Sequence, residues 1–163
     1  MHKPVFRKKP LLIAMATAWV TFAPVTQAAS SPEISSDEGQ STFSGLFDTV
    51  TITPTGSFIS SSGTALSFQS VTMGTLNNNG TIQSAGTSAN DAGMNIDTAS
   101  TVDTFNNAGL IGGNTIVSSN TYGLYNRGII GTLENSASGI IEGFAAINNN
   151  RTITSLINQG TIR

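Results

Sequence analysis

Asp97 and Asp103 are the two residues of this chain whose type and spacing could perform catalysis. They flank the segment from Ile96 to Val102, so a turn within that segment could bring the two carboxylates together. Glycoside hydrolysis needs such a pair, one group as the acid and the other as the nucleophile or base. The alternative is two solvated acids near a turn, because spacing alone does not create a perturbed pair.

A second pattern, Asp91-x-Gly93-x-Asn95-x-Asp97, alternates oxygen-bearing side chains as calcium-binding loops do. It lacks a Glu at the twelfth position, and it differs from the glycine-rich nonapeptide of calcium-binding β-rolls. A polar turn between repeats is the better interpretation of these residues. We therefore predict neither a metal site nor a cofactor.

Residues 29–163 contain few of the side chains that nucleophilic catalysis requires. The only His is His2, every Lys precedes residue 10, and the chain contains no Cys. Ser–His–Asp, Cys–His and Ser–Lys arrangements, and zinc sites of the His/Cys type, cannot be built from residues 29–163. We therefore predict that the chain is not an enzyme and has no catalytic residue.

Tyr122 and Tyr125, on either side of Gly123 and Leu124, are candidates for contact with a partner. If Leu124 points inward, Tyr125 points outward and Tyr122 lies at the end of a loop. Exposed tyrosines favour binding surfaces. The alternative is ordinary surface packing, which is common for tyrosines next to a core strand.

The elements that must position these residues follow from a seven-residue module, apolar-x-Asn-x-Gly-x-apolar. Four copies match in every slot: Leu76, Asn78, Gly80 and Ile82; Phe105, Asn107, Gly109 and Ile111; Leu124, Asn126, Gly128 and Ile130; Leu156, Asn158, Gly160 and Ile162. Three copies are degenerate: Ile96, Thr98, Ser100 and Val102; Leu133, Asn135, Gly139 and Ile141, with two extra residues; Ile147, Asn149, Arg151 and Ile153. Modules are paired nine residues apart and the pairs return after 23 to 29 residues, which indicates a repeat architecture.

The spacing within the module predicts an all-β fold, a parallel β-helix of about four rungs. All four slots lie at even offsets and share one face of an extended chain. Asn tolerates the left-handed conformation and Gly a positive φ, so we interpret the module as strand, corner, strand. Stacked rungs, about 4.8 Å apart, would form interior columns and Asn ladders. Parallel crossovers are overwhelmingly right-handed, which predicts a right-handed coil.

Two interior columns follow if the modules stack in register. One would contain Ile96, Leu124 and Ile147, and the other would contain Leu76, Phe105, Leu133 and Leu156.

Residues 1–28 have the layout of a Sec-type signal peptide. A positive region precedes a mostly apolar stretch over 11–23, and small residues follow at a cleavage site. An uncleaved membrane anchor is the weaker alternative, because a spanning helix usually needs about 18 or more apolar residues. We predict export through the Sec machinery and cleavage between Ala28 and Ala29.

The mature chain is acidic. Residues 29–163 contain three Arg against nine acidic residues, a formal net charge of −6. This charge repels DNA, RNA and anionic lipid, so we predict no binding to nucleic acid. Without Cys there are no disulfides, and stability must come from stacked apolar columns, about 1.5–3 kcal/mol for each buried Ile or Leu.

Three regions follow along the chain: the signal peptide over 1–28, a flexible mature N-terminus over 29–45, and β-helical repeats over 46–163. The second region is Ser-rich and acidic and contains Pro32. The first rung of the repeats is degenerate. Insertions over 83–95 and 112–123 contain several Gly and are predicted to leave the coil as turns or loops.

The modules at 75–82, 122–128 and 155–162 resemble the repeats of autotransporter passenger domains, the surface-exposed β-helical parts of type V secretion proteins of Gram-negative bacteria. The resemblance covers about residues 46–163, together with the signal peptide that such a protein carries. It implies an exported passenger domain at the cell surface or outer membrane, or outside the cell.

The family also carries a C-terminal transmembrane β-barrel, which this chain does not contain. We therefore expect the sequence to be the N-terminal part of such a protein, or a truncated product. A chain that truly ended at Arg163 would be periplasmic. Its last rung would be an uncapped parallel edge, which we expect to pair with a partner or with further chain.

Two functions remain open from the sequence. The first is a non-enzymatic stalk or adhesin that presents loops to a host or cell-surface ligand. The alternative is a carbohydrate-active β-helix enzyme that uses acidic residues. A basic residue near clustered acids would favour the enzyme, but the three Arg of the mature chain are dispersed. We therefore favour the first function.

Overall fold

The computed structural model describes residues 29–115 and 121–163, which contain fourteen β-strands and no helix. The predicted signal peptide, residues 1–28, lies outside the described residues. Accordingly, no helix in the described ranges is long and apolar enough to span a membrane. The strands are β1 (Glu33–Ile34), β2 (Ser41–Ile52), β3 (Ser57–Ser60), β4 (Leu66–Asn78), β5 (Thr81–Ser84), β6 (Ala92–Ile96), β7 (Thr101–Asn107), β8 (Leu110–Gly112), β9 (Tyr122–Asn126), β10 (Ile129–Asn135), β11 (Ile140–Glu142), β12 (Ala145–Asn149), β13 (Thr152–Asn158) and β14 (Thr161–Ile162).

The strands pair in parallel with the strands one turn away, so the chain winds as a β-solenoid of about four turns. The first face contains β6, β9, β12 and the beginning of β4. The second face contains β7, β10, β13 and the end of β4. β3, β5, β8, β11 and β14 form the third face. The prediction of an all-β parallel β-helix is confirmed.

Apolar side chains from successive turns form columns inside the coil. The column of the second face contains, in register, Val50, Leu76, Phe105, Leu133 and Leu156. The column of the third face contains Phe58, Ile82, Ile111, Ile141 and Ile162. The members in the inner turns are almost fully buried, whereas Leu156, in the last turn, is 50% exposed. The hydrophobic stabilisation therefore comes from contacts between turns as well as within them.

The column of the first face differs from the predicted one. Leu124 pairs with Met94 rather than with Ile96, and Ile96 pairs with Asn126. Ile96 thus occupies the slot that holds Asn in the complete modules. The reason is the corner that follows β6, which spans 97–100, whereas the corner after β9 contains only 127–128. These two extra residues shift the register, so the predicted alignment of Ile96 with Leu124 is wrong.

The module Asn side chains form a hydrogen-bonded ladder inside the corner between the second and third faces. The Asn78 amide donates to Asn107 Oδ1 at 2.8 Å, Asn107 donates to Asn135 at 2.7 Å, and Asn135 donates to Asn158 at 2.8 Å. Asn78, Asn107 and Asn135 are buried. Each ladder bond joins one turn to the next, so the ladder fixes the register of the stack.

The ladder also satisfies the backbone of the corner. Asn78 Oδ1 accepts a hydrogen bond from the Gly80 N–H at 3.2 Å, and its amide donates to the Leu110 carbonyl at 3.2 Å. Asn126 makes the equivalent contacts between the first and second faces, where its amide donates to Asn149 at 2.7 Å. Among the described residues, every buried side-chain polar atom has a hydrogen-bond partner, as a stable interior requires.

Gly80 and Gly109 are required at their corners because a side chain has no space there. A Cβ on Gly109 would lie 2.1 Å from the Gly80 carbonyl oxygen, and a Cβ on Gly80 would lie 2.1 Å from that of Gly56. The prediction that corner Gly and Asn use left-handed backbone is wrong. The positive φ values of the described chain belong to other residues: Gly39, Gly45, Gly63, Ser70 and Asn90.

Residues 29–45, predicted to be flexible, are instead part of the solenoid. β1 pairs with the end of β2, where the Thr53 N–H donates to the Ile34 carbonyl at 2.9 Å. β2 begins at Ser41 and pairs with β4. Ile34 packs against the core, and its strand satisfies backbone donors of β2. This segment therefore covers the first turn, and the ordered repeats begin before residue 46.

We predict that Leu133→Asp will unfold the protein, whereas Leu156→Asp will be tolerated better. Leu133 is fully buried and Leu156 is half exposed in the same column. An unpaired charge costs several kcal/mol when it is buried. Thermal unfolding followed by circular dichroism measures the difference. Equal stability of the wild type and Leu133→Asp would contradict the column.

We predict that Asn107→Ala will lower the free energy of unfolding more than Asn106→Ala. The first change leaves the Asn78 donor and the Asn135 acceptor without their ladder partner, at about 1–3 kcal/mol for each buried group left unpaired. Asn106 makes one outer hydrogen bond, to Asn77 at 2.9 Å, so its loss should cost about 1 kcal/mol. Urea denaturation compares the two. A larger effect at Asn106 would be inconsistent with the ladder.

Candidate functional site

Asp97 lies at the corner between β6 and β7, where its carboxylate accepts several hydrogen bonds. Its Oδ1 accepts from the Ser100 hydroxyl at 2.7 Å, from the Ala99 N–H at 3.0 Å and from the Ser70 N–H at 3.2 Å. Ser70 belongs to the preceding turn, so the carboxylate joins two turns. Asp103 is exposed on β7 and is not among the described partners of Asp97. The structure does not combine the two acids into one site.

The pKa of Asp97 is lowered, which is the opposite of what a general acid needs. Partial burial raises this pKa, but the hydrogen bonds from Ser100, Ser70 and Ala99 and the charge of Arg127 outweigh it. The group therefore stays ionised and acts as an acceptor. Paired-carboxylate catalysis at Asp97 and Asp103 receives no support from this arrangement.

The alternating oxygen side chains over residues 91–97 do not converge. β6 is extended over five residues, which places Asp91 and Asp97 about 20 Å apart at roughly 3.3 Å per residue. Calcium ligands lie at about 2.3–2.6 Å from the ion, so these carboxylates cannot share one. Asn95 Oδ1 accepts a hydrogen bond from Arg127 at 3.3 Å instead. No group of three or more metal-ligating His, Cys, Asp or Glu occurs in the described parts of the chain.

A cluster of aromatic, amide and guanidinium groups lies on the outer surface of the first face. The rings of Tyr122 and Tyr125 lie 4.9 Å apart, and the Arg127 guanidinium lies 5.1 Å from the Tyr125 ring. Asn95 binds Arg127, and the Asn150 amide donates to the Tyr125 hydroxyl at 3.3 Å. We call these five residues the tyrosine cluster. Tyr125 is partly exposed, as its predicted outward direction requires.

Tyr122 lies where it was predicted, at the end of the connection between β8 and β9, as the first residue of β9. It is 7% exposed, so it does not present a free tyrosine surface. Its backbone N–H donates to the Asp91 carbonyl at 2.9 Å, which holds it against the preceding turn. Tyr122 is therefore a buried neighbour of the Tyr125 ring, while Tyr125, Arg127 and Asn150 form the accessible part of the cluster.

The sequence did not identify Asn95, Arg127 or Asn150 as neighbours of Tyr125. Tyr125 pairs with Asn95 across the turn, whereas the predicted alignment of Ile96 with Leu124 placed Asp97 there. The correct register would have indicated that Asn95 lies beside Tyr125. The cluster contains no reacting group, but aromatic rings, Arg and amides are the side chains that serve in molecular contact.

Arg151 explains the degenerate module in which it replaces Gly. Its guanidinium Nη1 donates to the Thr98 carbonyl, two turns back along the same corner. Gly128 occupies the turn between them and has no side chain in the way. Arg151 therefore joins two turns across the turn that lies between them, which is a structural role.

Comparisons with known proteins found no match to a family model, to a curated protein or to a solved structure.

We predict that Asp97→Asn will reduce the acid sensitivity of the fold. Because the pKa of Asp97 in the folded chain is below its ordinary value of 3.8, the carboxylate contributes stability above that pH. This contribution is lost as the pH falls through the lower folded-state pKa. Urea denaturation between about pH 5 and pH 2 should show a shallower loss in the variant than in the wild type.

Asp103→Asn is the matched control, because it removes an exposed carboxylate with no described hydrogen bond. Its acid profile should follow that of the wild type. Identical profiles for the wild type and Asp97→Asn would mean that the corner does not hold the carboxylate as described.

Proposed function

We propose that this chain is a non-enzymatic β-helical stalk or adhesin segment of an autotransporter-like protein. In this proposal the Sec machinery exports it, and it is displayed at the cell surface or outer membrane. The observation that carries the proposal is how side chains are distributed. Inward positions form apolar columns and Asn ladders, while outward positions carry mainly neutral polar groups and the tyrosine cluster.

The stacked interior supports the stalk. Each turn bonds to the next through backbone, Asn side chains and apolar contacts, so the solenoid is a continuous rod that extends by about 4.8 Å per turn. A rod of this kind holds whatever lies at its surface at a fixed distance from its attachment point. Stiffness and reach are the physical requirements of a spacer.

The outer surface supports contact with a ligand. Tyr125 and Arg127 are the residue types enriched at the centres of interfaces, and their neighbours Tyr122, Asn95 and Asn150 hold them in place. Preorganised side chains lose little conformational entropy when they bind. The tyrosine cluster is therefore the proposed contact surface of the adhesin.

The alternative enzyme is less well supported. Residues 29–163 contain no His, Cys or Lys, and the candidate acid Asp97 is held by corner hydrogen bonds that keep it ionised. These observations favour a role in binding over one in catalysis.

We predict that cells displaying the protein will adhere to their ligand surface, and that combining Tyr125→Ala with Arg127→Ala will weaken adhesion about tenfold, equivalent to about 1.4 kcal/mol. Thr72→Ala is the control, because Thr72 is exposed on the second face away from the cluster. Adhesion is counted per cell after circular dichroism shows that the variants fold.

Mass spectrometry of the exported protein should give Ala29 as its N-terminus.

Three results would contradict the proposal. One is a product that retains Met1 in the inner membrane. Another is adhesion that does not depend on the displayed protein. The third is polysaccharide cleavage by residues 29–163 that Asp97→Ala and Asp103→Ala together abolish.

A further inference from the structure

Two of the three arginines in residues 29–163 lie at one corner, between the first and second faces. Arg127 follows β9, and its Nε donates to Asn95 Oδ1 at 3.3 Å, one turn back. Arg151 follows β12, and its Nη1 donates to the Thr98 carbonyl, two turns back. Asn95 and Thr98 belong to the same turn, and their Cα atoms are at most about 11 Å apart. Both guanidinium groups therefore reach the same part of the solenoid surface.

The positive charge of this corner is only partly balanced. Neither guanidinium is in an ion pair, because the one ion pair of the described residues joins Glu142 to Arg163. Asp97 lies within reach of the charge of Arg127, and its Oδ1 already accepts three hydrogen bonds. Asp103, the next acid along the chain, is exposed on the second face. Since exposed charges beyond about 8 Å are largely screened at physiological salt, two Arg against one Asp make the corner locally positive in an acidic chain.

The Arg127 guanidinium is fixed in position and still has free donors. Its Nε is bonded to Asn95, and its central carbon lies 5.1 Å from the centre of the Tyr125 ring. Within the described chain, neither Nη atom of Arg127 has a hydrogen-bond partner. The end of the group that carries Nη1 and Nη2 can therefore donate two parallel hydrogen bonds to one carboxylate. An Arg that is already held in place loses little conformational entropy when it binds.

The neutral groups beside Arg127 are complementary to hydroxyl groups. The Tyr125 hydroxyl accepts from the Asn150 amide at 3.3 Å and can itself donate. Asn148 is in register with Tyr125 on the next turn and is partly exposed. Side-chain amides both donate to and accept from alcohols. The accessible groups of the cluster are thus polar, which favours a sugar ring over the apolar side chains of a peptide.

We infer that the tyrosine cluster binds a carboxylate-bearing sugar, with the carboxylate on Arg127 and sugar hydroxyls on Tyr125 and Asn150. Arg151 adds positive charge from the following turn. The inference rests on the proposed function, since it gives the contact surface of the adhesin a ligand class.

The test is a titration of the exported protein, labelled with ¹⁵N, against methyl glycosides of uronic and sialic acids. At least one acid should give saturable shifts at the backbone amides of Tyr125 and Arg127 and at the Arg127 Nε. Each acid is compared with its methyl ester, which has the same ring but no charge. The ester should bind about tenfold more weakly or not at all, because it cannot accept the charge-assisted pair of hydrogen bonds.

Variants of Arg127 separate the shape of the group from its charge. Arg127→Gln removes both and should abolish the shifts at Tyr125. Arg127→Lys keeps the charge without the planar fork and should weaken binding about tenfold. Arg163→Gln is the matched control, because Arg163 follows β14 on the third face and is paired with Glu142. It should bind as the wild type does, and the spectrum of each variant shows whether it is folded.

No saturable shift with any acid, equal binding of an acid and its ester, or unchanged binding in Arg127→Gln would overturn the inference. Failure of the proposed function gives a different result, in which the acids bind at Arg127 but cells displaying the protein do not adhere. Adhesion that depends on Tyr125 and Arg127 while no acid binds would leave the proposed function standing and overturn the inference alone.

Discussion

The rest of the structure depends on the registered hydrogen bonding of Asn78, Asn107, Asn135 and Asn158 inside one corner. A side-chain amide that donates to the next turn must find an acceptor at the same position there, 2.7–2.8 Å away. This requirement fixes where each turn begins and ends. At the same corner the turns lie so close together that Gly80 and Gly109 have no space for a Cβ. The apolar columns follow, because residues two positions from an aligned Asn are themselves aligned.

The sequence predicted the fold wherever the module was complete. Even spacing of Leu76, Asn78, Gly80 and Ile82 implies one face of an extended chain, and recurrence implies stacking. The predicted register was wrong at Ile96, because the apolar pattern does not indicate the length of the corner over 97–100. The segment over 29–45 was missed for another reason. Its short β1 has little hydrophobic pattern, and it is ordered by pairing with β2.

The candidate surfaces were predictable only in part. Tyr122 and Tyr125 stand out in composition, but Asn95 and Asn150 become their neighbours only through the register of adjacent turns. Sites on a solenoid are formed across turns, and their members are therefore separated by whole repeats.

The Asn ladder also has a polarity, since every amide donates toward the C-terminal turn and accepts from the N-terminal one. Each inner Asn donates its amide to the next turn, and its side-chain oxygen accepts the amide of the turn before. A duplicated or deleted turn would therefore rejoin donor to acceptor without a mismatch at the junction. The length of such a rod can change during evolution in steps of one turn, by unequal recombination between repeats, while its interior chemistry is conserved. The length of the solenoid can thus change while its fold stays the same.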